Sequence, residues 1–360
     1  MSFTKVMVLG MGKVGSLVGT LLKHSGFEVL GVDAVERIGL PFETCVLDLR
    51  DGAAFAQAVR ARGVQAVVSC LPFHLNLPLA HAACEAGVHY FDLTEDVPTT
   101  HGILKIADSA KGVMAPQCGL APGFIGIVGA HLATEFDKLR SMELKVGALP
   151  KHPRGSLGYA FNWSPEGVIN EYINDCEVIR MGQRQLVPAL EGLEIVTIDG
   201  VQLEAATTSG GLGTMCETYD GRVQDLAYKT MRYLGHFERV KFLLEELRLR
   251  EDRELVGKIL KNALPPVDED YVFVHAAVEG WQGGQLARKE FVRCYPQTEM
   301  ADGHVWRAIS WTTAASICAV VEMVRDGVLP QQGFIKQEEI PLDAFLRTRN
   351  GSLYLKGGHR

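Results

Sequence analysis

The stretch Val6-Met7-Val8-Leu9-Gly10-Met11-Gly12-Lys13-Val14-Gly15 decides the reading of the N-terminal half. It spells GxGxxG directly after a short apolar run, Lys5 to Leu9, and directly before a helical pattern from Val14 to Lys23. Glycines alone mark ordinary turns, and it is this strand-turn-helix context that gives the three a task each. Gly10 permits the tight turn, Gly12 lets the main chain approach a pyrophosphate, and Gly15 lets helix and strand pack closely. The helix opening here turns its N–H groups and the positive end of its dipole towards an anion. Residues Gly10, Met11, Gly12, Lys13, Val14 and Gly15 are therefore expected to cradle the pyrophosphate of a dinucleotide.

A second apolar run, Glu28 to Val32, ends at Asp33, about 20 residues past the glycines. A carboxylate there accepts hydrogen bonds from the adenosine ribose and repels a 2′-phosphate, which favours NAD over NADP. Arg37, four residues on, offers the opposite option of bridging a phosphate. Asp48 follows a third run, Cys45 to Leu47, and either borders the adenine or caps a turn. Ser69-Cys70-Leu71-Pro72 closes a fourth run, at the carboxyl edge where the nicotinamide half belongs. A plain strand-to-loop turn fits the same four residues.

Helical stretches at Ala53 to Arg62 and Pro78 to Ala86 alternate with strands at Ala66 to Cys70, Tyr90 to Leu93 and Gly112 to Ala115. Such alternation predicts a parallel sheet with right-handed crossovers. It stops at the turn Cys118-Gly119-Leu120-Ala121-Pro122-Gly123. Beyond it the strands lengthen and alternate apolar with polar residues, as at Ser141 to Gly147, Glu194 to Ile198 and Tyr271 to Val278, which predicts a sheet with one wet face. An apolar helix at Thr312 to Arg325, stopped by Gly327, is expected to pack back on the first domain. The fold class expected is α/β: a Rossmann doubly wound parallel sheet (1–118) with an inserted α+β substrate domain (119–310) and a returning helix and tail (311–360). No internal repeat or low-complexity tract interrupts it.

The 360 residues are 47% hydrophobic and 22% charged, enough for a large core. The net charge of −7 is spread along the chain, and no basic block suggests a nucleic-acid partner. The longest apolar run near the C-terminus, Ile317 to Val321, is far shorter than the roughly 20 residues that span a bilayer. Met1 leads straight into a strand with no secretory pattern, so the cytoplasm is the default. Eight scattered cysteines without a CxxC read as reduced thiols, and eleven dispersed histidines without HExxH argue against a metal.

The chain resembles the saccharopine dehydrogenase-like family, and within it the lysine 6-dehydrogenases. The resemblance is carried by Leu71-Pro72-Phe73-His74, Gly87-Val88-His89-Tyr90-Phe91-Asp92, Cys118 through Gly123, Val146-Gly147-Ala148-Leu149-Pro150, Trp163-Ser164-Pro165-Glu166-Gly167 and Met231-Arg232-Tyr233-Leu234-Gly235-His236. Together and in order these are specific. Two departures matter: the saccharopine-forming branch has an aspartate where Ala121 stands and a cysteine where Val146 stands. Both point towards the simpler lysine dehydrogenases. The resemblance implies an NAD-dependent oxidoreductase of a small amino acid; the sequence does not give its oligomeric state, and a homo-oligomer, a dimer or tetramer, is the expectation. The resemblance also makes Arg232 the grip on the substrate carboxylate; without it, Arg232 reads as an ordinary helix-surface arginine.

The reaction so implied is oxidative deamination of L-lysine at its terminal amine, giving a semialdehyde that closes to a cyclic imine. The alternatives are a saccharopine- or carboxyspermidine-type reductase joining an aldehyde to an amino acid, and a non-catalytic NAD-binding regulator. Amine oxidation by hydride loss needs a neutral nitrogen and a route for its proton. Glu95 and Asp96, after the fifth strand, are the leading candidates for that route, with helix capping or solvation as the plain alternative. His74, in the loop after the fourth strand, is a candidate acid–base group, although loop histidines more often only hydrogen-bond. His236 either assists Arg232 or serves as a cation at a helix C-terminus. Glu166 and Glu171 are expected on a solvated helix face.

Overall fold

The computed structural model describes residues 3–300 and 302–356 and divides the chain into two compact units. Unit 1 runs through Ile127 and resumes over Ser310–Lys356; unit 2 is Val128–Ile309. The second unit is thus an insertion in the first.

The first half of unit 1 is β1 (Lys5–Leu9), α1 (Lys13–His24), β2 (Glu28–Asp33), β3 (Glu43–Val46), α2 (Gly52–Ala61), β4 (Ala66–Ser69), α3 (Phe73–Ala86), β5 (His89–Asp92), α4 (Val97–Ala107) and β6 (Val113–Ala115). The six strands are parallel in the order β6-β5-β4-β1-β2-β3, the arrangement of a dinucleotide-binding doubly wound sheet. Register aligns the carboxyl ends: Leu9 lies opposite Val32 on one side and Ser69 on the other, and Ser69 lies opposite Asp92. Three of the strand ends named from sequence therefore meet at one edge. Apolar runs Met7–Leu9 and Val67–Val68 are fully buried, as a sheet covered on both faces requires.

Helix α5 (Phe124–Ala133) leads the chain out of unit 1. Unit 2 then contains β7 (Lys138–Pro150), α6 (Pro165–Ile173), β8 (Cys176–Arg180), β9 (Gln183–Val187), β10 (Glu194–Ile198), β11 (Val201–Thr207), α7 (Met215–Thr218), β12 (Asp225–Tyr233), α8 (His236–Lys241), α9 (Arg253–Ala263), β13 (Asp270–Gln282), β14 (Gln285–Pro296), β15 (Thr298–Glu299) and β16 (Val305–Trp306). A π-helical turn, Phe242–Glu246, extends α8. The main sheet is mixed, in the order β10-β11-β12-β7-β13-β14, with β8 and β9 attached beside β12. The one-wet-face expectation fits the edge strand β10, whose residues alternate in burial, but fails for β13, where Val272 to Val278 are all buried. β13 lies inside the sheet between β7 and β14, and is covered on both faces.

The chain re-enters unit 1 through α10 (Ala308–Arg325), β17 (Gly333–Phe334), α11 (Leu342–Arg347) and α12 (Leu353–Lys356). β17 adds a seventh parallel strand beside β6, pairing Gly333 with Val113. Helix α10 is anchored in this unit: the Cys318 thiol lies 3.6 Å from Val18 O, and Tyr354 donates its hydroxyl hydrogen to Thr312 O at 2.5 Å. No helix among the described residues is long and apolar enough to cross a membrane.

Candidate active site

The glycine turn is built as its spacing predicts. Gly10 takes φ +85°, a left-handed conformation that a side chain would strain. A Cβ on Gly15 would come within 1.9 Å of Gly10 O, so only hydrogen fits where α1 crosses the turn. At Gly12 a Cβ would meet no protein atom within 4 Å, and no side chain caps the helix it begins. Open space in front of an uncapped helix N-terminus suits a pyrophosphate. Lys13 is exposed, Val14 half-buried, and the Met11 side chain is buried at the turn.

Asp33 closes this turn. Its Oδ2 accepts the Met11 main-chain N–H at 2.8 Å and the Nε–H of Arg37 at 3.2 Å, while Oδ1 accepts the Val35 N–H. Arg37 is thus ion-paired with the residue it was weighed against. Asp48 is exposed and grips Arg50, with contacts down to 2.7 Å that hold its carboxyl down to about 2. Its Oδ1 also accepts the Arg50 main-chain N–H at 3.0 Å, so it caps a turn, whereas the N-cap of α2 is Asp51, which accepts from the Ala53 and Ala54 N–H groups. At the other side of the turn Ser69 is buried and donates to Asn76 Oδ1 at 2.7 Å. Cys70, with its thiol pushed up to about 12 by burial, is a packing residue rather than a thiolate. Leu71 is half-buried and Pro72 begins α3 as its N-cap.

Next to Ser69 the carboxyl edge is polar and buried. Asp92 accepts the Thr94 and Gln117 N–H groups on Oδ1 and the Tyr90 hydroxyl on Oδ2. Burial raises its carboxyl to about 6 against those bonds. Glu95 goes further, to about 7, through burial and then the charges of Asp96 and Asp92. A carboxyl poised near neutrality can hold or take a proton. Asp96 is committed elsewhere: its Oδ2 accepts both the N–H and the hydroxyl of Thr99, capping α4. The structure therefore separates a pair that the sequence treated as one. His74 is corrected from loop to helix, since α3 begins at Phe73, and its ring is exposed. Two buried donors near this edge, Asn76 Nδ2 and Gln117 Nε2, meet no acceptor among the described residues. Donors of this kind are what the oxygen of a bound ligand or water satisfies.

Unit 2 holds a second cluster. Arg232 stands on strand β12, not on a helix surface, and is 2% exposed. Its Nε donates to the Tyr172 hydroxyl at 2.8 Å, Nη1 to Met231 O at 3.0 Å, and Nη2 to Glu171 Oε2 at 3.3 Å. The Tyr159 ring lies 4.4 Å from the guanidinium carbon, within cation–π range. Burial opposes the charge, but Tyr172, Tyr159 and Glu171 more than offset it. Glu171 is accordingly no solvated helix residue, whereas Glu166 is exposed and pairs with Lys261. His236 opens α8 instead of ending a helix, and burial followed by the Arg232 charge depresses its ring to about 3. A neutral ring fixes the bond directions. Leu157 O only accepts, so Nδ1 donates to it at 2.7 Å; Nε2 then accepts from the Tyr172 hydroxyl at 3.0 Å. His236 therefore holds Tyr172, which holds Arg232.

Residues 6–115 match the saccharopine dehydrogenase NADP binding domain and residues 119–348 match the saccharopine dehydrogenase C-terminal domain. The chain belongs to the saccharopine dehydrogenase family. It is an oxidoreductase family of amino-acid dehydrogenase type with a pyridine-nucleotide-binding domain. Saccharopine dehydrogenase (L-Glu forming) from Saccharomyces cerevisiae shares the fold, with a TM-score of 0.78 over 96% of both chains at 16% identity. C. glutamicum DAP dehydrogenase follows at TM-score 0.50 and 14% identity over 99% of both chains. Among curated proteins, the mitochondrial alpha-aminoadipic semialdehyde synthase of Mus musculus is 25% identical over 193 residues, half of this chain. The aligned stretch spans about a fifth, 21%, of that relative's length.

Asp92, Asn76 and Gln117 were missed from sequence as site residues, as were Tyr159 and Tyr172. Asp92 had a usable signal, an acid at the end of an apolar strand at the carboxyl edge. For the tyrosines around Arg232 no local pattern offered one.

Proposed function

We propose that this saccharopine dehydrogenase-family protein oxidises the terminal amine of L-lysine with NAD. The observation that carries the amino-acid reading is Arg232. Three of a guanidinium's five N–H groups are held by Tyr172, Met231 and Glu171, which leaves one on each Nη nitrogen to donate to a carboxylate. Ala121 and Val146, in place of the aspartate and cysteine of the saccharopine-forming branch, favour simple deamination. Asp33 at the end of β2 favours NAD, even though the matched domain is named for NADP.

In this reading Arg232 binds the substrate carboxylate and Tyr172 with His236 keep its guanidinium in place. Glu95 takes the proton of the terminal ammonium, so that the nitrogen lone pair is available as the carbon beside it is oxidised. A bound nicotinamide ring is the hydride acceptor. Water then adds to the substrate iminium and ammonia leaves, giving the semialdehyde, which closes on its α-amine with loss of water.

A second reading, a reductase joining an aldehyde to an amino acid, is favoured by the names of the mouse and yeast relatives. One experiment decides: formation of NADH from L-lysine and NAD, beside consumption of NADH or NADPH with an aldehyde–amino acid mixture. Turnover only in the second assay overturns the lysine reading. Silence in both, with nucleotide still bound, leaves a non-catalytic binder.

A further inference from the structure

Resting on the assignment of Arg232 to a substrate carboxylate, we infer that Glu171 is the ammonium half of the same subsite, so that the pair selects an α-amino acid over a simple carboxylic acid. Glu171 Oε2 lies 3.3 Å from Arg232 Nη2, and the two side chains are 12% and 3% exposed. The guanidinium does not need Glu171 for its orientation, because Nε and Nη1 are held by the Tyr172 hydroxyl and Met231 O, and Tyr172 is held in turn by His236. Glu171 therefore contributes a charge beside a fork already fixed by neutral groups.

That charge determines which ligand fits. A lone carboxylate docked on the two remaining N–H groups of Arg232 comes close to the Glu171 carboxylate, and like charges at such range in a buried setting repel strongly. An α-amino acid carries an ammonium on the carbon next to its carboxylate. Its two charges match Arg232 and Glu171 in order, and the ammonium cancels the repulsion. A buried pair is costly to hold when it serves packing alone, since well-packed apolar residues of similar volume often do as well. Reading a zwitterion is a use that requires both signs.

The test uses the full chain with saturating NADH and two ligands of one skeleton: L-norleucine, and hexanoate, which is norleucine without its ammonium. Neither carries a terminal amine to oxidise. Wild type is expected to bind norleucine roughly 10–100-fold tighter by calorimetry, the value of one charge-assisted hydrogen bond. Glu171→Gln should bring the ratio to about threefold or less, chiefly by weakening norleucine, with hexanoate unchanged or improved. Glu171→Asp, which keeps the charge, should retain part of the preference, and thermal unfolding of both variants establishes that they fold. Equal losses of both ligands in Glu171→Gln would make the pair a packing feature, and binding of neither ligand, or of both alike, by wild type also overturns the inference. The lysine reading fails separately. A wild type that prefers norleucine yet makes no NADH from lysine retains the subsite and loses the reaction.

Discussion

The carboxylate of Asp33 and the main chain of Met11 are joined by a 2.8 Å hydrogen bond, so the end of β2 is tied directly to the glycine turn. The same oxygen accepts from Arg37. One carboxylate thus shapes the turn and pairs with the cation beside it.

Replacing Asp33 by alanine should weaken NAD by about 1.5–3 kcal/mol and narrow its advantage over NADP, because an acceptor and a repulsive charge vanish together. Arg37→Ala should instead leave NAD little changed and weaken NADP. Titration of both nucleotides against both variants checks this, and unchanged affinities in Asp33→Ala would remove Asp33 from the site.

Gly12 and Gly15 should fail in different ways. Gly12→Val meets open space and should fold with a melting temperature near wild type while losing nucleotide binding. Gly15→Ala forces a Cβ against Gly10 O and should cost stability directly, by about 1–3 kcal/mol or more. Melting curves with and without NAD separate the two.

Glu95 sets an acid limb. With its carboxyl raised to about 7, the rate of lysine oxidation should climb with pH through that region as the carboxylate forms. Glu95→Gln should lower kcat and flatten this limb, while Asp96→Asn should chiefly reduce stability through the lost α4 cap, about 0.5–2 kcal/mol. A limb near 7 that persists in Glu95→Gln would assign it to another group.

His236 makes an opposite contribution to stability. Its ring is depressed to about 3 from an ordinary 6.5, so its contribution is complete above 6.5 and falls away as pH drops towards 3. The slope is about 1.4 kcal/mol per unit, or about 2 kcal/mol between pH 7.5 and 5. Asp92 and Glu95, whose values are raised, act the other way: their contribution is present below about 4 and lost as pH rises through about 6 to 7. Urea unfolding of wild type and His236→Gln at both pH values isolates the histidine, and parallel curves would refute it.

The nucleotide-binding half was legible because each glycine answers a separate local demand and Asp33 stands at a fixed interval from them. Unit 2 was less so. Glu171 and Arg232 are 61 positions apart, a distance that no helical or strand period bridges, and Glu171 follows Glu166 and Asn170 on what reads as a polar face. Tyr271 to Val278 does not in fact alternate: Val272, Phe273, Val274, Ala276, Ala277 and Val278 make a near-continuous apolar run, as suits β13 buried on both faces between β7 and β14. Asp96 and Glu95 look alike in a sequence; only the Thr99 bonds distinguish a cap from an acid held near neutrality.

The insertion of unit 2 also dictates an order of events at the ribosome. β6 emerges before the whole of Val128–Ile309, yet its partner β17 emerges after it. Until then Val113 and Met114, fully buried in the finished protein, stand at an unpaired strand edge, and Pro116 O lacks the Gln337 amide that donates to it. Open edges of this kind recruit other strands. The nucleotide-binding unit, begun before unit 2, therefore closes only after it, and a nascent chain stalled inside unit 2 carries an open strand edge prone to aggregation.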